Sequence, residues 1–318
     1  MSHVTIVMYH YVRDLQRSRY PEIKALGVDQ FQEQVGYLKR HYTLISGFDL
    51  MDAVESGAEL PPRAALLTFD DGYIDHFTEV LPVLRREKLP GCFFPPAECV
   101  AQHRILDVNK IHFVLASVAD KGTLVDYIFR AMNEARSAHG LESNAFYWEK
   151  RGIASRFDTA EVMFVKYMLQ RDLPQALRKN IVDGLFEKFV SEDEAEFSTE
   201  LYMGMDQIAD LQRNGMYVGS HGFEHIHLDS ASPDAQQLEI DLSIKFLREV
   251  GADTTRWIIA YPYGAYNQAL LDILRQRGCT VGLTTKVAVA DLHQDNPLTL
   301  PRLDTNDLPK DSKADFVP

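Results

Sequence analysis

Short apolar runs alternate along this chain with longer segments whose apolar residues recur at helical spacing. His3 to Tyr9 (HVTIVMY) predicts a buried first strand, with His10 at its end. Asp29 as an N-cap, followed by Phe31, Val35 and Leu38, predicts an amphipathic helix. Tyr42 to Ile45 predicts a short strand and Gly47 to Val54 a helix. Pro61 and Pro62 mark a loop before Leu66 to Phe69, which has the character of a buried parallel strand. A helix bearing Phe77, Val80, Leu81 and Leu84 comes next, then a strand from Gly91 that leaves through Pro95 and Pro96. Farther along, helices are expected at Met205 to Asn214, Pro233 to Val250 and Asn267 to Arg277. They interleave with strands at Met216 to Gly219, Trp257 to Tyr261 and Cys279 to Leu283. Gly215 is placed to stop the first of these helices. Strand-then-helix units repeated in this way predict an α/β fold with a parallel sheet and helices outside it.

Between Val108 and Phe197 the strand pattern disappears. Leu124, Ile128, Ala131 and Ala135 form one helical stripe, and Leu177, Ile181, Leu185 and Phe189 another. The expected organisation is an α/β domain of residues 1–107 and 201–306, an all-helical insertion at 108–200, and a loose polar tail at 307–318. The insertion follows a strand outlet, so it is expected to start on the catalytic side. It would act there as a cap over the mouth or as an arm that pairs two chains.

Composition narrows the classes. The 318 residues are 46% hydrophobic and 25% charged, with a formal net charge of −13. That charge argues against a nucleic-acid-binding surface. Cys92, Cys99 and Cys279 lack metal-binding spacing, which predicts reduced thiols. The N-terminus has no basic segment ahead of a long apolar run, and no stretch is long enough to span a membrane. A cytoplasmic protein is the expectation.

Candidate chemistry lies at the strand ends. Asp70 and Asp71 close the run Leu66-Leu67-Thr68-Phe69, and Gly72 follows. On a regular strand the two carboxylates would face opposite ways. A bend permitted by Gly72 can turn both toward the outlet, where α/β folds place their chemistry. An ordinary Asp-Asp-Gly turn is the other reading. His221 and His225, four apart after the strand at Met216 to Gly219, can meet one metal ion. A zinc-protease helix would need glutamate where Gly222 stands, so a loop fits better. Asp71 would complete a two-histidine, one-carboxylate set. His227 is expected on a solvated loop.

Thr68-Phe69-Asp70-Asp71-Gly72, the His221/His225 pair and Tyr261-Pro262-Tyr263-Gly264, in that order, resemble the polysaccharide deacetylases. These are the NodB-homology enzymes of the fourth carbohydrate esterase family. The similarity covers roughly residues 1–100 and 205–305 and leaves the helical insertion outside. It implies a distorted (β/α) barrel and one divalent ion, zinc by expectation, used to remove acetyl groups from sugars. It implies Asp70 as general base, Asp71, His221 and His225 as metal ligands, and the Tyr263 N–H as an oxyanion donor. It also places Tyr261 and Pro262 beside the substrate.

This sequence departs from the family pattern at three points. Gly222 replaces a serine or threonine, so one loop-stabilising hydrogen bond is missing. Ala260 stands where many relatives have arginine; Arg302 either reaches Asp70 instead or forms a surface ion pair. The usual late histidine acid has no clean match, leaving His10 and His293 as candidates. The expected substrate is an acetamido sugar, nucleotide-linked, lipid-linked, free or within an oligosaccharide, such as an intermediate of a surface polysaccharide of the O-antigen (lipopolysaccharide) type. Removal of formyl or another small amide by the same site, and a catalytically silent carbohydrate-binding relative, are the alternatives.

Overall fold

The structure, a computed structural model, describes residues 2–316. Its described residues fall into two compact units, one drawn from Met1–Asp14, Ala25–Arg104 and Ser198–Pro318, the other from Leu15–Lys24 and Ile105–Phe197.

The first unit is built on strands that are apolar almost throughout. β1 (His3–Tyr9) is buried from Val4 onward, and β3 (Ala64–Asp70) is buried at every position. Strands covered on both faces need such continuous apolar runs. Between them lie α1 (Val28–His41), the two-residue β2 (Thr43–Leu44) and α2 (Gly47–Ser56). Gly27, not Asp29, caps α1: its backbone is extended, and its N–H donates to Gln30 Oε1 at 3.3 Å. Asp29 falls in the first turn, where its charge still suits the helix dipole. Beyond β3, a single π-turn at His76–Val80 leads into α3 (Leu81–Glu87). β4 (Cys92–Phe94) and α4 (Ala97–Gln102) follow.

In parallel register, β1 pairs with β3, so that Tyr9 lies opposite Phe69; β3 pairs with β4. After the helical unit, α11 (Met205–Arg213) leads to β5 (Tyr217–Val218), which pairs with β4. α12 (Pro233–Glu249), β6 (Trp257–Ala260), α13 (Gln268–Gln276) and β7 (Cys279–Leu283) follow. β6 pairs with β7, and single bridges join Ser220 to Ile259 and Leu283 to Leu300. The strand neighbours return to β1 through β9 (Leu303–Asp304), which pairs with it in parallel. The ring is a (β/α) barrel distorted where single bridges replace full ladders. β8 (Ala290–Asp291) runs antiparallel to β1 at His3 and Val4, the end opposite His10.

Residues 307–316 of the expected loose tail are anchored, and 317–318 lie outside the described residues. Leu308 is buried in the barrel core; Gln34 Nε2 donates to the Leu308 carbonyl at 3.2 Å; the Ser312 N–H donates to Glu33 at 3.0 Å.

The second unit contains α5 (Asp107–Ser117), α6 (Gly122–His139), α7 (Asn144–Arg151), α8 (Ala160–Tyr167) and α9 (Gln175–Phe189). α10 (Glu194–Leu201) leads out of it. Leu124 and Ile128 are buried as their spacing suggests, but Met132 is buried where Ala131 and Ala135 are only half-covered. On α9, Phe186 is buried and Phe189 is partly exposed. Lys110 is buried against Asp183 at 2.5 Å and Glu194 at 3.0 Å, two carboxylates offsetting one desolvated ammonium. Residues 15–24, which the sequence pattern leaves in the barrel, pack here: Tyr20 meets Phe113 edge-on, and Lys24 pairs with Asp158. No helix among the described residues is long and apolar enough to cross a membrane.

Candidate active site

The outlet of β3 breaks the alternation of the strand one residue earlier than Gly72. Asp71 itself takes a left-handed conformation (φ 70°), and Gly72 repeats it (φ 65°). Asp is among the few residues that tolerate this region. A side chain at Gly72 would come within 2.8 Å of Pro95, so the position is restricted to glycine. The double turn frees Asp71 from the strand direction that Asp70 keeps.

Asp71 Oδ2 accepts a 2.6 Å hydrogen bond from the Tyr73 hydroxyl. Asp71 Oδ1 is buried and has no hydrogen-bond partner. It lies 3.3 Å from His221 Nε2 and 3.5 Å from His225 Nε2, and one ligand atom from each of the three residues falls within 4.8 Å of the others. His221 Nδ1 is 2.7 Å from the Ala260 carbonyl. A carbonyl only accepts, so Nδ1 carries a proton and Nε2 is the nitrogen turned toward Asp71. A buried acceptor without a donor, flanked by two imidazole nitrogens, fits a divalent cation of borderline character.

The charges agree with that fit. Burial raises the Asp71 carboxyl, but His221, 3.3 Å away, and the charges of His10 and His225 outweigh it and hold it far below the usual range. Burial, helped by the His221 charge, pushes His225 down to about 3, so it is neutral and open to ligation. His221 moves up: burial opposes its protonation, but the nearby charges of Asp70 and Asp71 and the bond to the Ala260 carbonyl prevail.

Asp70 faces Arg302. The guanidinium grips both carboxylate oxygens, Nη1 to Oδ1 at 2.9 Å and Nη2 to Oδ2 at 2.7 Å. Nη1 also reaches Thr68 Oγ1 at 3.2 Å, and Nε donates to the Thr284 carbonyl at 2.9 Å. Both side chains are buried, which decides between the two readings of Arg302: this is no surface ion pair. Burial raises the Asp70 carboxyl, but the Arg302 charge leads the groups that bring it below its ordinary value.

The remaining candidates divide by position. Tyr9 pairs with Phe69, so His10 emerges beside Asp70, and the His76 imidazole holds its carbonyl at 2.8 Å. His293 is exposed and adjoins β8, at the far end of β1, which removes it from this outlet. Tyr263 is left-handed (φ 57°) and partly exposed, with its ring 4.7 Å from the His225 ring. His227 lies on a loop and is half-buried, stacking on Tyr263 at 4.0 Å. Tyr261 is fully buried, its hydroxyl donating to the Leu298 carbonyl, and Pro262 is buried beside Gly222. Tyr261 therefore supports the strand end from inside the core and does not face a substrate.

Two residues of the site had no role in the sequence pattern. Tyr73 stands two positions after Asp71, and only its hydrogen bond reveals its part. Glu239 accepts from the Phe223 N–H at 2.9 Å and the Glu224 N–H at 3.1 Å. Nothing in its helical surroundings sets it apart from a solvent-facing glutamate.

Comparison with known proteins places this geometry. The polysaccharide deacetylase family model matches residues 57–142 and 172–282, more than half of the chain. The chain belongs to the polysaccharide deacetylase family. The match runs into the helical region, which the motif resemblance left outside, and ends before Arg302. YxkH of Bacillus subtilis (strain 168), named for the polysaccharide deacetylases, is 30% identical over 89 residues. The poly-beta-1,6-N-acetyl-D-glucosamine N-deacetylase of Escherichia coli (strain K12) is 29% identical over 90. Each stretch is 28% of this chain but only 32% and 13% of the respective relatives. The fold extends the likeness over nearly the whole chain. The Streptococcus pyogenes deacetylase PplD superposes with a TM-score of 0.59 at 17% identity, covering 95% of this chain and 92% of its own. IcaB from Ammonifex degensii gives 0.58 at 16%, covering 96% and 92%.

Proposed function

We propose that this protein is a metal-dependent hydrolase that removes the acetyl group from an acetamido sugar. The observation that carries the reading is the unpartnered Asp71 Oδ1, flanked by His221 and His225 next to the buried Asp70–Arg302 pair. When bound by Asp71, His221 and His225, a divalent ion, zinc by ligand type, would polarise the acetyl carbonyl and lower the pKa of water toward 7.

The chain's own groups do the rest. Asp70 accepts a proton as water attacks; Arg302 keeps that carboxylate ionised and fixes its orientation. The Tyr263 main-chain N–H donates to the developing oxyanion. His10, at the same outlet, protonates the leaving amine.

The substrate class follows from the family and from the E. coli relative's named activity: an N-acetylglucosamine-type unit in a polymer, an oligosaccharide or a linked precursor. Acetate release from β-1,6-linked N-acetylglucosamine oligomers and from nucleotide-linked N-acetylglucosamine tests it. Turnover lost to a chelator and regained with zinc is the expected result. No release from any acetamido sugar with metal present would overturn the proposal, and formate release from formamido sugars alone would redirect it.

A further inference from the structure

The loop that carries His221 and His225 is secured through its main chain. The Gly222 and Phe223 carbonyls accept from the N–H groups of Ala97 at 3.2 Å and Glu98 at 2.9 Å. On the other side, Glu239 reaches in from α12. Its Oε2 accepts from the Phe223 N–H at 2.9 Å, and the Glu224 N–H lies 3.1 Å from Oε1 and 3.2 Å from Oε2. Glu239 is 5% exposed. Burying a carboxylate is unfavourable unless hydrogen bonds replace its water, and consecutive peptide N–H groups do so here.

The loop needs such a restraint. Gly222 (φ 75°) and His225 (φ 56°) are both left-handed, and glycine has the widest conformational freedom to lose. A Cβ at position 222 would lie 3.4 Å from Glu239 Oε2 and 3.3 Å from Pro262 Cγ. The carboxylate thus borders the space that a side chain at 222 would enter.

We propose that Glu239 is a positioning residue of the metal site. Its carboxylate holds the Phe223 and Glu224 N–H groups and sets His221 and His225 in place before an ion arrives. The inference rests on the metal reading above. Groups that orient metal ligands from behind typically change metal affinity by about 10- to 100-fold.

Equilibrium dialysis of zinc, the absorption spectrum of the cobalt(II)-loaded protein and amide exchange would be measured on the full chain, for wild type, Glu239→Gln and Glu239→Ala. Both variants are expected to bind zinc about 10- to 100-fold more weakly. They should also show a changed cobalt spectrum and faster exchange at Phe223 and Glu224. Glu239→Gln keeps the side-chain volume and carries the test should the alanine variant not fold. Wild-type affinity together with wild-type amide protection in Glu239→Gln would overturn the proposal. If wild type itself binds no divalent ion, the metal reading fails instead. Protection at Phe223 and Glu224 then still decides whether Glu239 sets this loop: faster exchange supports it, and unchanged exchange overturns it.

Discussion

Arg302 places Nη1 and Nη2 on the two oxygens of Asp70, at 2.9 and 2.7 Å, in a pair that is buried on both sides. The residue that family resemblance puts at position 260 is alanine here, and the compensating charge enters from the chain just before β9. Arg302→Ala leaves a buried carboxylate without its partner, a change that commonly costs about 3–5 kcal/mol. The Asp70 pKa is depressed in the folded state, so its contribution to stability is present above the ordinary value of 3.8 and is lost as pH falls through the folded value. Urea unfolding of Arg302→Ala at pH 7 should show the loss. A variant within 1 kcal/mol of wild type (below that range) would mean that the pair contributes little.

Asp70 and Asp71 are neighbours with separate tasks, so their substitutions should separate. Asp70→Asn is expected to keep zinc and to lose about 10²- to 10⁴-fold in kcat, the usual worth of a general base. His221→Ala and His225→Ala are expected to lose the ion while keeping the fold, since the barrel core does not depend on either. Elemental analysis beside acetate-release rates distinguishes them. Full metal content in both histidine variants would sink the ligand assignment.

Tyr73→Phe removes one hydroxyl, the donor that occupies Asp71 Oδ2 and leaves Oδ1 toward the histidines. With the aromatic ring retained, the stack on Tyr11 at 3.9 Å should persist. Zinc affinity is expected to fall about 10-fold, at the lower end for residues that support a ligand. Competition with a chromophoric chelator measures it, and an unchanged dissociation constant refutes this role for Tyr73.

Glu239 gives a pH signature. Burial outweighs its backbone hydrogen bonds and lifts it from 4.5 to about 7. Between those values the folded protein holds a proton that the unfolded chain has released. Stability from this group therefore falls as pH rises from 4.5 to about 7, by up to about 1.4 kcal/mol per pH unit. Urea unfolding of the metal-free protein should show Glu239→Gln flattening that part of the profile. A parallel profile in the variant would count against it.

Some of this molecule is local and could be read from local pattern. Buried strands announce themselves by apolar runs, and β1 and β3 follow them closely. The three prospective ligands and Asp70 stand at strand ends within short, spaced motifs, where residue type and separation already restrict the chemistry. Other parts depend on partners far away in the chain. Asp70 and Arg302 are 232 positions apart, and His221 and Ala260 are 39 apart. His10 and His293 look equivalent until β8 is seen to join the wrong end of β1.

The strand–helix alternation, the polysaccharide deacetylase motifs and the residue types offered at the outlet are all legible in the chain, because each follows from spacing along one segment. Tertiary structure alone decided which oxygen of Asp71 is left without a partner, that Tyr261 turns into the core, that residues 307–316 are tied down, and that Glu239 grips the histidine loop. Those outcomes depend on which groups packing brings within about 3 Å, the reach of a hydrogen bond, and no pattern along a single segment encodes that distance.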